Sequence, residues 1–140
     1  MPDITVENAN GRASTLLAMV AGERAVILFM RTSTCPVCHA HVAKALGLLR
    51  SGQLGGARLV VVTPGSVSEI ATVRRRVPGD DVTVVASGSG HADVGLGRFL
   101  GLQHSGTFVL DQAGRVLSAR TAAVPLGAFD AAEVIAVLAG

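Results

Sequence analysis

Six consecutive apolar residues, Ala25 to Met30, run through Arg31-Thr32-Ser33-Thr34 into Cys35-Pro36-Val37-Cys38, which holds both cysteines of the chain. A run that is apolar on both faces is the pattern of a central strand, so the sheet around it has to be covered on two sides. Pro36 opens a helix directly after it, because proline fixes the backbone angle of a first turn and lacks an N–H that would have had no partner there. Cys35 then caps that helix, its sulfur beside free N–H groups at the positive end of the helix dipole, where a thiolate is favoured over a thiol. Cys38 shares a stripe at helical spacing with Val42, Ala45 and Leu49 and is expected to face the core. One sulfur is thus expected to be offered to solvent and the other to be held behind it.

The remaining elements follow from their punctuation. Ile4 to Val6 reads as a short strand before an Asn10-Gly11 turn, and Ser14 to Ala21 as a brief helix closed by Gly22. The cysteine helix runs from Pro36 to about Arg50. Leu59 to Thr63 is a second apolar strand, and strand, helix, strand at this spacing calls for a right-handed parallel crossover. Ser66 with Glu69 forms a capping box, opening a helix that carries Val67, Ile70, Ala71 and Val77 and stops at Pro78-Gly79. Val82 to Ala86 is a third strand, and the glycine-rich stretch from Ser87 to Gly97 reads as a loop and a short helix ending near Leu100. Thr107 to Leu110 and Arg115 to Ser118 flank Asp111-Gln112-Ala113-Gly114 as a hairpin. Asp130 caps a last helix, with Glu133 three residues on. The class is α/β: a central mixed sheet with a parallel βαβ core and a C-terminal hairpin, flanked by helices, with a short N-terminal extension, in one domain spanning 1–140.

At 140 residues and 49% hydrophobic the chain can bury a proper core without staples. Cysteines three positions apart close almost no loop, so the pair adds little stability and its value is chemical. The net charge is only +2, and the one basic run, Arg74-Arg75-Arg76, ends a helix where cations are ordinarily just solvated. With no Trp or Tyr there is no stacking platform, which argues against nucleic acid as a partner. No basic segment followed by an apolar run opens the chain, and no apolar run is long enough for a membrane span, so a soluble cytoplasmic protein without a membrane partner is expected.

Three pieces together resemble the thioredoxin superfamily: the strand with Cys35-Pro36-Val37-Cys38, the segment Val62-Thr63-Pro64-Gly65-Ser66, and the hairpin Thr107-Phe108-Val109-Leu110-Asp111-Gln112-Ala113-Gly114-Arg115-Val116. Within it the chain looks most like the redoxin branch, the thioredoxin-like and alkyl hydroperoxide reductase-like (peroxiredoxin-like) proteins, over roughly Gly11 to Leu138. The resemblance implies a thioredoxin fold and a thiol-disulfide oxidoreductase, in which Cys35 attacks a partner sulfur and Cys38 resolves the intermediate as an intramolecular disulfide. A thiol-dependent peroxidase that reduces hydroperoxides is the alternative it also implies, with Cys38 then resolving a sulfenic acid. The partners implied are a protein or small-molecule disulfide or hydroperoxide and a dithiol reductant. No cofactor beyond the Cys35–Cys38 disulfide is expected, and the protein should be a monomer or weak dimer.

Thr32 and Arg31 are the further catalytic candidates, and Thr34, Pro36, Ser105 and Gly106 the expected substrate-facing loop. The chain departs from the family pattern at specific positions. Thr34 stands where thioredoxins place tryptophan, and Phe29 where they bury an acid. Ser105 aligns with the cis-proline of thioredoxins and with the arginine by which peroxiredoxins polarise the peroxide. Leu28 aligns with an earlier peroxiredoxin proline, whereas Thr32 matches their threonine three residues before the cysteine. Arg31 or Arg98 is the available substitute for the arginine. On these grounds dithiol exchange is favoured over fast peroxide turnover.

Competing chemistry is limited. Cys35-Pro36-Val37-Cys38-His39 spells the c-type haem attachment signature, but follows a buried strand. A Cu(I)-binding module resembling the copper chaperones of cytochrome oxidase assembly would use Cys35, Cys38 and His104. A zinc site adding His39 and His41 fails, because the two lie about 200° apart around a helix. His91 has no recognisable partner. No acid is placed near Thr32, Ser33 or Thr34 to orient a histidine base, and the glycines from Gly88 lack the setting of a dinucleotide site.

Overall fold

The computed structural model describes residues 3–88, 98–99, 102–103, 105–122 and 127–139. Strand β3 (Ala25–Phe29) is buried at all five positions, as its sequence demands. It pairs in parallel with β4 (Arg58–Thr63), and β4 in parallel with β5 (Val82–Ala86). On the other side β3 pairs antiparallel with β8 (Ser105–Leu110), which pairs antiparallel with β9 (Val116–Ala122). At the far edge β1 (Thr5–Glu7) joins β5 and carries β2 (Ala13–Thr15), giving the seven-stranded order β2-β1-β5-β4-β3-β8-β9. Strands β6 (Arg98–Phe99) and β7 (Leu102–Gln103) form a separate two-stranded ribbon.

Alternation along β3 divides the core. Val26, Leu28 and Met30 face a layer built with α2 (Pro36–Arg50), α3 (Val67–Arg74) and α4 (Ala131–Ala139). Ala25, Ile27 and Phe29 face the other, which includes Leu16 from α1 (Leu16–Met19) and Ile4 and Val6. There Phe29 meets Phe108 edge to face, with ring centroids 5.4 Å apart. Leu59, fully buried on β4, sits in the α2 layer. Leu59→Ala is expected to cost about 2–5 kcal/mol, since the cavity left in a close-packed layer collapses only partly; a denaturant midpoint measures it.

Several elements differ from the sequence expectation. Ser14 and Thr15 belong to β2, because the N-terminal segment folds back on β1 and only Leu16–Met19 stays helical. Helix α3 stops at Arg74, before Val77. The Arg74 guanidinium closes that turn by donating to the carbonyls of Val77, Gly79 and Val82. Around Leu100, where a short helix is expected, Arg98–Phe99 pairs with Leu102–Gln103 as strands; the glycine-rich residues 89–97 lie outside the described residues. The hairpin strands are longer than their apolar runs, because β9 is an edge strand whose backbone pairing with β8 continues past the apolar signal. Its turn is held as expected, with the Asp111 carboxylate accepting from the Ala113 and Arg115 N–H groups at 2.9 Å and Gly114 taking a φ of 81°. The Asp130 carboxylate accepts the Glu133 N–H, capping α4. Among the described residues no helix is long and apolar enough to cross a membrane.

Candidate active site

The first crossover places both sulfurs. Met30 keeps the β3 ladder through its N–H to the Val62 carbonyl at 2.8 Å, after which Arg31 to Thr34 turn the chain into α2. Cys35 is the N-cap, with extended backbone angles, and Pro36 is the first helical residue. The Cys35 sulfur accepts the Cys38 N–H at 3.3 Å, so it takes up one of the donors that a helix start leaves free. The Cys38 sulfur accepts the Arg31 N–H, also at 3.3 Å. Each sulfur therefore receives a backbone donor, the Cys35 sulfur from the first turn of α2 and the Cys38 sulfur from the loop that precedes it. His39 Nε2 lies 2.8 Å from the Ser33 carbonyl and must donate to it, since a carbonyl only accepts.

Burial does not separate the sulfurs as expected. Cys35 is 8% exposed and Cys38 4%, so neither stands open to solvent. What distinguishes them is what they border. Cys35 lies in a surface pocket of about 260 Å³ lined by Arg31, Thr32, Thr34 and Pro36. Thr32 and Thr34 bring their hydroxyl oxygens to 3.5 Å of each other there. The Arg31 guanidinium has no hydrogen bond or ion pair among the described residues. Cys38 faces inward, packed with Val42 and Ala45; Leu46 and Leu48 join that buried face, and Leu49 is only half-buried.

Burial, and next the hydrogen bond with Cys35, push the Cys38 thiol up to about 12, partly offset by the Arg31 N–H. Cys38 is accordingly a neutral thiol at pH 7. Its ordinary value is 9.0. With the folded-state value raised, the unfolded chain releases this proton first, so the contribution to stability is whole below about 9 and is lost as pH climbs to about 12. Wild type is expected to lose more stability than Cys38→Ala across that window, measured as denaturant midpoint against pH.

Ser105 and Gly106 are not part of the Cys35 pocket. They are the first residues of β8, both buried, with Gly106 paired to Phe29 on one side and Thr121 on the other. The strand starts two residues earlier than its apolar run, which carries them into the sheet. There they border a void of about 10 Å³ on the inner side of the dithiol, together with Cys38, His41 and Ala128. Among the described residues the buried Ser105 hydroxyl has no hydrogen-bond partner. His41, named above only in the zinc set that fails, stands three residues after Cys38, a spacing that puts the two on one helix face. Burial lowers its pKa.

His104 lies outside the described residues, as does the side chain of Arg98. Among the described residues no group of three or more His, Cys, Asp or Glu could hold a metal ion. The copper set therefore depends on His104.

No family model matches the sequence, and no curated protein matches it. Solved structures do match its fold. Reduced Prx3 from Vibrio vulnificus in complex with H2O2 superposes with a TM-score of 0.82 at 17% identity, over 99% of this chain and 95% of that one. The thiol peroxidase from Chromobacterium violaceum gives 0.82 at 15% identity, over 99% and 83%. Peroxidoxin BcpB from Mycobacterium tuberculosis gives 0.79 at 21% identity, over 99% and 93%. With a seven-stranded mixed sheet, a cysteine at the mouth of its first crossover helix and these matches across nearly its full length, the chain has the thioredoxin-like fold in the form taken by peroxiredoxins and thiol peroxidases.

Proposed function

We propose that this chain is a thiol-dependent peroxidase, with Cys35 attacking the hydroperoxide and Cys38 resolving the product. The observation that carries the choice of substrate is the position of Cys35 at 8% exposure within a pocket of about 260 Å³. A terminal peroxide oxygen is small enough to enter such a pocket. A disulfide on a folded partner would have to bring its sulfur in line with a nearly covered one, and access governs that exchange. This reverses the preference for dithiol exchange drawn from the missing family residues.

In the first step the Cys35 thiolate attacks the terminal oxygen, the O–O bond breaks, and the alkoxide or hydroxide leaves and takes a proton. Cys35 becomes a sulfenic acid. In the second, Cys38 attacks the Cys35 sulfur as a thiolate, the S–O bond breaks and water leaves, giving the disulfide. A dithiol reductant then returns two electrons and two protons. Thr32 and Thr34 offer hydroxyls toward the bound peroxide, and Arg31 offers an uncommitted cation where negative charge develops on the departing oxygen. Pro36 supplies the apolar wall.

Dithiol exchange remains the second reading, favoured by the two sulfurs sharing one helical turn with a backbone N–H from Cys38 to Cys35. A direct comparison tests the two. Purified protein with excess dithiol is given an alkyl hydroperoxide in one arm and a protein disulfide in the other. Peroxide loss far above that caused by free cysteine, with little disulfide turnover, is the expected result. Disulfide turnover without peroxide loss reverses the assignment.

A further inference from the structure

Resolution requires a Cys38 thiolate, and nothing in the Cys35 pocket can remove that proton. The base then has to stand on the inner side of the dithiol, where Cys38 faces. The void there has three polar side chains on its wall: Cys38, His41 and Ser105. Its volume of about 10 Å³ is at the size that admits one water molecule, and a water needs two to four polar partners to be held in such a place. The buried Ser105 hydroxyl has no hydrogen-bond partner among the described residues, which is the mark of a group satisfied by water.

We propose that His41 accepts the Cys38 proton through one water held in this void and oriented by the Ser105 hydroxyl. The inference rests on the resolving role given to Cys38 above. The proton passes from the Cys38 thiol to the water as the water gives one to the His41 imidazole. The Cys38 thiolate then forms the S–S bond while the S–O bond to Cys35 breaks, and the departing hydroxide leaves as water once protonated. Imidazolium returns its proton to solvent, so the sum is sulfenic acid plus thiol giving disulfide plus water.

The surroundings of His41 keep the acceptor form available. Its ring packs against Phe129, with centroids 5.6 Å apart, and burial disfavours the charged imidazolium. From α2 the titratable groups at helical spacing from it are Cys38, three residues before, and the exposed Lys44, three residues after. The neighbours contributed by β3 and β8 carry no charge, nor do Ala128 and Phe129. Asp130, next in sequence, is committed to Arg120 at 3.7 Å and to the cap of α4. His41 is therefore neutral at pH 7 and becomes charged only as pH falls below its usual value near 6.5.

A nitrobenzoate disulfide separates this step from peroxide chemistry. Attack by Cys35 releases one coloured thiolate, and attack by Cys38 on the resulting mixed disulfide releases a second, so the second phase reads Cys38 alone. Wild type is expected to show a second-phase rate that falls as pH drops through the His41 transition and levels off above it. In His41→Gln that rate should fall about 100-fold at pH 7, in line with loss of a general base, and rise tenfold per pH unit toward the Cys38 value. Added imidazole should recover part of it in His41→Ala, and Ser105→Ala should slow it by a smaller factor. A second phase in His41→Gln that matches wild type in rate and pH profile overturns the proposal. So does a wild-type rate that climbs tenfold per unit through pH 7 to 9, which needs no variant to observe. A normal second phase without peroxide turnover would instead remove the peroxidase reading and leave the His41 relay standing.

Discussion

Cys35→Ser should reduce hydroperoxide turnover to that of the reductant alone, a loss on the order of 10⁴-fold or more, as befits removal of a covalent nucleophile. A serine hydroxyl in the same capping position still accepts the Cys38 N–H but does not ionise, so the helix start survives while the chemistry does not. Cys38→Ser should behave differently. It still accepts the Arg31 N–H and still permits the first step, so one peroxide is consumed per chain and a Cys35 sulfenic acid accumulates. Mass spectrometry of a dimedone adduct on Cys35 measures it. Equal multiple turnover by Cys35→Ser and wild type would show that the nucleophile lies elsewhere.

Arg31→Ala should lower kcat/KM for hydroperoxide by about 10²–10³-fold, the cost of losing one preorganised donor at a site of developing charge. The substitution is specific, because the contact Arg31 makes to the Cys38 sulfur comes from its backbone N–H and is retained by alanine. What is lost is the Arg31 side chain beyond Cβ, from a residue that lines the Cys35 pocket. Arg31→Lys should recover a fraction, since an ammonium keeps the charge but lacks the planar fork that holds two oxygens at once. Unchanged kcat/KM in Arg31→Ala would remove the side chain from the reaction and turn attention to Arg98.

The family comparison puts Ser105 at the aligned arginine position and leaves Arg31 and Arg98 as the substitutes, without choosing between them. Arg31 stands four residues before the nucleophile in sequence, but only the turn of the loop shows that it borders the same pocket as Cys35. The burial of the two sulfurs was half legible. Helical spacing put Cys38 on the buried face, and its raised pKa follows from that burial. Spacing could not show that Cys35 is covered too, since the cover comes from the preceding loop, whose path periodicity does not determine.

The central strand, the helix that follows it, the parallel crossover and the cap by Cys35 were written in local chemistry: an apolar run, a proline, a dithiol and turn residues act on their own neighbourhood. The N-terminal hairpin, the early start of β8 and the extent of β9 were decided by pairing between distant segments, where backbone hydrogen bonds override side-chain pattern. The separation of an outer pocket at Cys35 from an inner void at Cys38, with Ser105 and His41 meeting across it, also belongs to the tertiary structure. Residues sixty-four positions apart meet there because β8 lies beside β3 under α2, and no rule of local spacing carries that information.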